Sequence, residues 1–180
     1  MTFMQIETKS RKKDIILFSS TTIMALLASQ LFNFFIFKSL PELQSWKVTN
    51  WFYLSHIRNH GGVFGILQGQ SFLFSILSSV LLAFLVIYIL KSTQVRTFEF
   101  ACFGFILGGG LSNILDRLFY GSVIDYFDVR GIPHWHYIFN LADVMIHIGL
   151  WSMVLIGLFF ARSHREARSP LEKIDQKDSV

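Results

Sequence analysis

Apolar residues gather in four runs, about Ile15–Phe37, Phe72–Leu90, Thr97–Leu115 and Asp143–Phe160. Each run is of a length to cross bilayer hydrocarbon, which takes about 20 helical residues. The polar stretches between them are unequal. Lys38–Ser71 is long and mixes polar with aromatic residues, Lys91–Arg96 is a short turn, and Asp116–Ala142 is rich in acids, glycine and histidine. Within the first stretch, Val48–His56 alternates loosely and is rich in Val, Thr, Trp, Phe and Tyr. That pattern predicts a strand or hairpin ahead of the turn-forming Asn59-His60-Gly61-Gly62. The expected fold is mainly α: a polytopic membrane protein of four transmembrane helices with a small β cradle between helices 1 and 2. One membrane-embedded domain is expected over 1–161, followed by a charged, mobile tail over 162–180.

Composition agrees with this, and charge orients it. The chain is 52% hydrophobic with a mean hydropathy of +0.48, values suited to an integral membrane protein. An even number of crossings puts both termini on one side. That side holds Lys9, Arg11, Lys12, Lys13, Lys91, Arg96, Arg162, Arg165, Arg168, Lys173 and Lys177, which is 11 of the 16 Lys and Arg. The other side holds the remaining five, Lys38, Lys47, Arg58, Arg117 and Arg130. The positive-inside rule therefore makes the termini and short turn cytoplasmic and turns the two long connections outward. The first run is longer than the apolar part of a cleavable signal peptide and reads as a retained helix. Cys102 is the single cysteine, so no intrachain disulfide is expected. Trp46, Trp51 and Tyr53 fit an interfacial aromatic belt, a strand edge that receives an extended peptide, or both. The charge pattern does not suggest a nucleic-acid partner.

The connection between the third and fourth runs carries the candidate chemistry. Four of the twelve acids, Asp116, Asp125, Asp128 and Asp143, fall in or beside it. Carboxylates near membrane depth are costly and point to function. Two that lie close together cannot both ionise cheaply and share a proton. The charged member can then deprotonate water while the protonated member polarises a carbonyl, which is aspartic-protease chemistry without metal, cofactor or covalent intermediate. Other readings of single residues stand beside this. Asp143 opens an apolar helix, where the macrodipole favours an acid. Asp116 beside Arg117 is expected to be an ion pair bracing the end of helix 3. Asp128 near Arg130 reads as a solvated loop acid, and Asp125 is expected on a loop that acts as a lid. Asn113 and Asn140 suit either helix ends or a substrate backbone. Asp143 and His147 have ligand spacing on a helix, but no His-Glu-x-x-His motif supports a metal. No Gly-Lys-Ser/Thr follows Gly108-Gly109-Gly110, so these are not a phosphate loop; with Gly104 they are expected to form one smooth helix face. A non-enzymatic membrane protein and a small proton-conducting transporter are the rival classes.

Taken together, Asn59-x-Gly61-x-x-Phe64-Gly65, Asn113-x-x-Asp116-Arg117, Gly121-x-Val123-Ile124-Asp125-Tyr126 and Phe139-Asn140-x-Ala142-Asp143 resemble lipoprotein signal peptidase, or signal peptidase II. The resemblance runs from Ile15 to Phe160. It implies a bacterial inner-membrane aspartyl endopeptidase that cuts prolipoproteins on the N-terminal side of a diacylglyceryl-modified cysteine. By this likeness Asp125 and Asp143 are catalytic, and Asn59, Asn113, Arg117 and Asn140 line the substrate site. Asp116 and Gly109 support it. The resemblance further implies inhibition by globomycin-type peptides and contact with membrane lipids; the small four-helix design permits a working monomer. One departure stands out: where the family carries an aspartate and, four residues on, a lysine in helix 1, this chain has Ser29 and Asn33, a neutral pair expected to hydrogen-bond in their stead.

Overall fold

The computed structural model describes the backbone of residues 2–62 and 66–177, and the side chains of 11–62 and 66–159. Eight elements follow in order: α1 (Thr2–Ser39), β1 (Ser45–Lys47), β2 (Phe52–Asn59), α2 (Ser71–Lys91), α3 (Thr97–Tyr120), β3 (Val123–Val129), β4 (Ile138–Phe139) and α4 (Leu141–Lys177). All four helices hold a stretch long and apolar enough to cross a membrane: Arg11–Ser39, Ser71–Lys91, Thr97–Tyr120 and Leu141–Phe159. Large apolar side chains on their outer faces stay uncovered by protein, among them Leu31, Leu81 and Leu155. Such faces suit lipid, which is as apolar as leucine. The backbone of the expected tail continues α4 as far as Lys177; its side chains and residues 178–180 lie outside the described residues. So do Phe64 and Gly65 of the first motif.

α3 is the central helix, packed against the other three, and its glycines show how. Successive helical residues point about 100° apart, given 3.6 residues per turn. A Cβ at Gly108 would strike the Thr22 carbonyl and lie 2.7 Å from Ala25 Cβ on α1. One at Gly109 would strike the Ala142 carbonyl and lie 2.9 Å from Ile146 on α4. One at Gly110 would lie 2.8 Å from Leu82 on α2. The three glycines thus admit three different helices, which corrects the expectation of a single smooth face. Cys102 is a buried packing residue, and its backbone carbonyl lies where a side chain on Gly149 would be. Gly109→Ala is expected to cost about 1–3 kcal/mol, because neither a backbone carbonyl nor a packed Ile can yield freely. Gly157→Ala, at a place with nothing within 4 Å, should be neutral or slightly stabilising through helix propensity. Thermal unfolding of both variants in one detergent checks the contrast.

At one end of the bundle lies an antiparallel sheet of order β1-β2-β3-β4. The cradle expected between helices 1 and 2 supplies β1 and β2; the other two strands come from the connection between α3 and α4. β2 is paired along most of its length, with Phe52 opposite Val129 and Asn59 opposite Val123, and its register shifts between Leu54 and Ile57. β3 follows α3 through Gly121, whose φ of +70° closes the helix in the left-handed region that glycine adopts without steric cost. Strand alternation then sets the site. Ile124 and Tyr126 are fully buried and pack with Ile36 of α1, while Asp125 between them lines a cavity. The Tyr126 hydroxyl accepts the Leu141 N–H at 2.9 Å, tying the first residue of α4 to this strand.

Candidate active site

Five polar residues from four elements meet where β3 and the start of α4 face each other. Asn59 ends β2, Asn113 lies on α3, Asp125 on β3, and Asn140 immediately precedes α4 with Asp143 in its first turn. Asn140 and Asp143 form a reciprocal cap. The Asp143 N–H donates to Asn140 Oδ1 at 3.0 Å, and the Asn140 N–H donates to Asp143 Oδ2 at 3.2 Å. This is the capping-box arrangement with Asn and Asp in place of Ser and Glu. The macrodipole reading of Asp143 is therefore sound locally, since the acid sits at the positive end of a helix. The same atoms also build the site.

Each of the four oxygens on the two carboxyls receives an N–H. Asn140 Nδ2 donates to Asp125 Oδ1 at 2.8 Å, and Asn59 Nδ2 donates to Asp125 Oδ2 at 3.1 Å. Asn113 Nδ2 donates to Asp143 Oδ1 at 2.8 Å, and the Asn140 backbone takes Oδ2. Asn140 Nδ2 also reaches Asn113 Oδ1 at 3.1 Å, so one side chain joins both halves of the site. Asp125 and Asp143 line one cavity of about 290 Å³, with Gly110, Asn113, Arg117 and Phe139 in its wall. The amide N–H groups of the three asparagines point at carboxyl oxygens, an arrangement that fixes the acids. Arg117 is in the cavity wall too, but its guanidinium donates to the carbonyls of Gly61 at 3.0 Å and Asn113 at 3.3 Å.

Asp125 is 4% exposed. Burial, reinforced by the neighbouring Asp143 charge, holds its carboxyl up at about 7, although donors from Asn59 and Asn140 and the Arg117 charge pull the other way. The folded protein thus keeps a proton that the unfolded chain releases near 3.8. Where the folded state binds more protons, stability falls as pH rises. This contribution is full below about 4 and is lost as pH passes through about 7. The unfolding temperature should therefore decline between pH 5 and 8, and Asp125→Asn should remove that part of the decline. An unchanged slope in the variant would contradict the assignment.

Several expectations are corrected here. Asp125 stands on a strand, not on a loop that acts as a lid. Asp128 is 8% exposed on β3 and bonded to Ser55 at 2.8 Å and Arg130 at 2.6 Å, so it is not a solvated loop acid. Asp116 and Arg117 do not pair: α3 continues to Tyr120, and neighbouring helical residues point about 100° apart. Asp116 is fully buried and instead accepts from Gln30 Nε2 at 2.9 Å, Asn33 Nδ2 at 2.8 Å and the Ile124 N–H at 3.3 Å. The Ser29–Asn33 pair does not form. Ser29 Oγ has no protein partner, and Gln30, which also donates to Ser112 Oγ at 2.9 Å, takes the second place on Asp116. Asp116 thereby holds the backbone next to Asp125.

Gln30 and β3 are the features that sequence reasoning missed. The strand had a signal in Val123-Ile124-x-Tyr126-Phe127-x-Val129, which is rich in β-branched and aromatic residues. Gln30 had none, because only the packing of α1 on α3 gives it a partner. Among the described residues no group of three His, Cys, Asp or Glu is placed to hold a metal ion.

Residues 21–160 match the family described as signal peptidase (SPase) II. The lipoprotein signal peptidase of Fusobacterium nucleatum is 31% identical over 154 residues, covering 84% of this chain and 92% of that protein. That of Clostridioides difficile is 36% identical over 118 residues, covering 66% of this chain and 78% of the relative. A solved structure described as a bacterial membrane enzyme superposes with a TM-score of 0.72 at 25% identity, covering 85% of this chain and 91% of its own. A second so described gives a TM-score of 0.68 at 26% identity over 82% of this chain and 92% of its own.

Proposed function

The chain belongs to the signal peptidase II family, and from that premise we propose that Asp125 and Asp143 are the pair with which it cuts signal peptides from prolipoproteins. It is an aspartic endopeptidase of a bacterial membrane. The observation that carries the catalytic assignment is the shared cavity in which every oxygen of both carboxyls is held by its own N–H donor. A water between the two acids loses a proton to the charged carboxylate and adds its oxygen to the scissile carbonyl carbon. The protonated carboxyl gives its proton to the carbonyl oxygen, so the pair ends the step with one proton, as it began. Collapse of the tetrahedral diol breaks the C–N bond. One carboxyl protonates the leaving nitrogen and the other recovers the hydroxyl proton. Asn59, Asn113 and Asn140 position the acids, and Arg117 supplies positive charge beside them in the cavity wall.

The substrate of this reading is a precursor whose cysteine already bears diacylglycerol, cut on the N-terminal side of that cysteine. Acyl chains in lipid and a signal helix beside the bundle hold the bond on both flanks, which makes the attack effectively intramolecular. The excess of Lys and Arg at the termini supports a site on the outer face with both termini cytoplasmic. The small four-helix design supports a working monomer, and a globomycin-type peptide is the inhibitor that membership of the family leads one to expect. The test is incubation of the purified protein with diacylglyceryl-modified and unmodified forms of one precursor, each with and without globomycin. The modified form alone should yield a product beginning at the lipidated cysteine, and globomycin should suppress it. Equal cleavage of both forms, or of neither, refutes the substrate assignment.

A further inference from the structure

α4 carries one titratable side chain beyond Asp143 within its apolar span, His147, one turn on. His147 Nδ1 lies 2.8 Å from the Asp143 backbone carbonyl oxygen. A carbonyl only accepts, so Nδ1 carries the hydrogen, and in the neutral ring Nε2 presents a lone pair. The ring sits at a junction. His147 lines the cavity of the two carboxyls, and it also lines a groove of about 460 Å³ that leads away along α4 past Trp135, Phe139, Val144, Ile148, Trp151 and Leu155. Asp143, Trp135 and Phe139 belong to both, so the groove continues the cavity. On the Asp125 side a second groove of about 460 Å³ is more polar than the first, with Arg58, Asn59, Gln68 and His136 in its walls beside Ile57 and Ile138.

Resting on the reading above, we infer that the apolar groove along α4 receives the signal-peptide side of the scissile bond and that His147 Nε2 accepts a backbone N–H there. The apolar groove matches the apolar part of the substrate. The apolar run of a signal peptide precedes its cleavage site; beyond the site come the lipidated cysteine, whose acyl chains stay in lipid, and then the mature chain. Hydrogen-bond chemistry then chooses between the apolar occupants a lipidated precursor offers. Acyl chains and their glyceryl esters have acceptors but no N–H or O–H, and so do not satisfy an Nε2 lone pair. A peptide unwound for cleavage exposes N–H groups that need acceptors, all the more where little water competes. The substrate would thus run from the apolar groove past Asp143, then past Asp125 into the more polar groove. His147 binds substrate on this route and takes no part in the proton transfers.

The experiment is steady-state kinetics of the full chain on a diacylglyceryl-modified precursor, with His147→Leu, His147→Gln and a series of precursors in which one backbone amide on the signal side is replaced by an ester. The ester removes a single N–H. His147→Leu should raise KM by about 3–10-fold, the range for one neutral hydrogen bond, with the loss falling on KM rather than kcat. His147→Gln, which offers an amide oxygen, should recover most of it. One ester position should raise KM by a like factor in the unsubstituted enzyme and add nothing in His147→Leu. An unchanged KM in His147→Leu, or no sensitive ester position in the unsubstituted enzyme, overturns the inference. A loss in His147→Leu that tracks acyl-chain length overturns it too, since the groove would then hold lipid. If His147→Leu does not fold, the ester series on the unsubstituted enzyme and His147→Gln decides alone. Failure of the parent reading looks different: no form of the enzyme would cleave any precursor.

Discussion

Asp125→Asn and Asp143→Asn are each expected to lower cleavage by at least about 10³-fold, within the range that acid–base groups contribute to catalysis. The substitutions are nearly isosteric and remove the one property the reaction needs, a proton passed between two carboxyls. Their effects on stability should differ. At Asp125, a carboxyl held up near 7 by burial and by the Asp143 charge, an uncharged amide removes the charge that the folded state resists. It also turns an NH₂ toward either Asn59 or Asn140 and forfeits one hydrogen bond. The net change should lie near zero at acid pH and become stabilising above pH 7, where the native carboxyl is forced to ionise. At Asp143 the amide faces the donors of Asn113 and the Asn140 backbone, and loses part of the helix cap. A cost of about 0.5–2 kcal/mol follows. Cleavage assays paired with thermal unfolding at pH 5 and pH 8 check both. An inactive, equally or more stable Asp125→Asn marks a residue kept for chemistry at the expense of the fold.

Asn140→Ala should be the most damaging change at a residue that transfers no proton. Its side chain caps α4, donates to Asp125 and donates to Asn113. Loss of the cap costs about 1 kcal/mol. Leaving buried Asp125 Oδ1 short of its donor adds about 1–3 kcal/mol. Because these partners form one network, the total is better put at about 2–4 kcal/mol than as a sum of independent parts. Activity should fall by about 10²-fold, since displacement of catalytic groups by about 1 Å costs that much. Asn140→Ser separates the two duties. Serine caps a helix as well as asparagine but is too short to span to Asp125, so only the cap's share of stability, about 1 kcal/mol, should return while activity stays low. Recovery of both together would mean that the link from Asn140 to Asp125 is dispensable.

The same network explains how single readings of residues were each incomplete. Asp143 was legible both as a helix-start acid and as a candidate catalytic one, and the two readings fall on the same atoms, because the cap of α4 also holds the carboxyl. Asp116 next to Arg117 suggested an ion pair on sequence proximity alone. In a helix that proximity separates side chains, and the side-chain partners of Asp116 come from α1, more than 80 residues away in sequence. The departure at Ser29 and Asn33 looked like a one-for-one exchange within α1. In the fold, Gln30 and Asn33 together supply neutral donors to Asp116, and the network closes without a cation.

Membrane-length apolar runs by themselves determined four helices, since a bilayer imposes one requirement on every segment that crosses it. Acids against an apolar background likewise marked the connection between α3 and α4, and among its four the family resemblance carried by a few spaced motifs pointed to Asp125 and Asp143. Tertiary structure alone decided that β3 and β4 complete the sheet, that three adjacent glycines admit three different helices, and that one asparagine fastens both carboxyls. These depend on which residues distant in the chain come within about 3 Å of one another, a distance set by packing and hydrogen-bond geometry rather than by any local pattern.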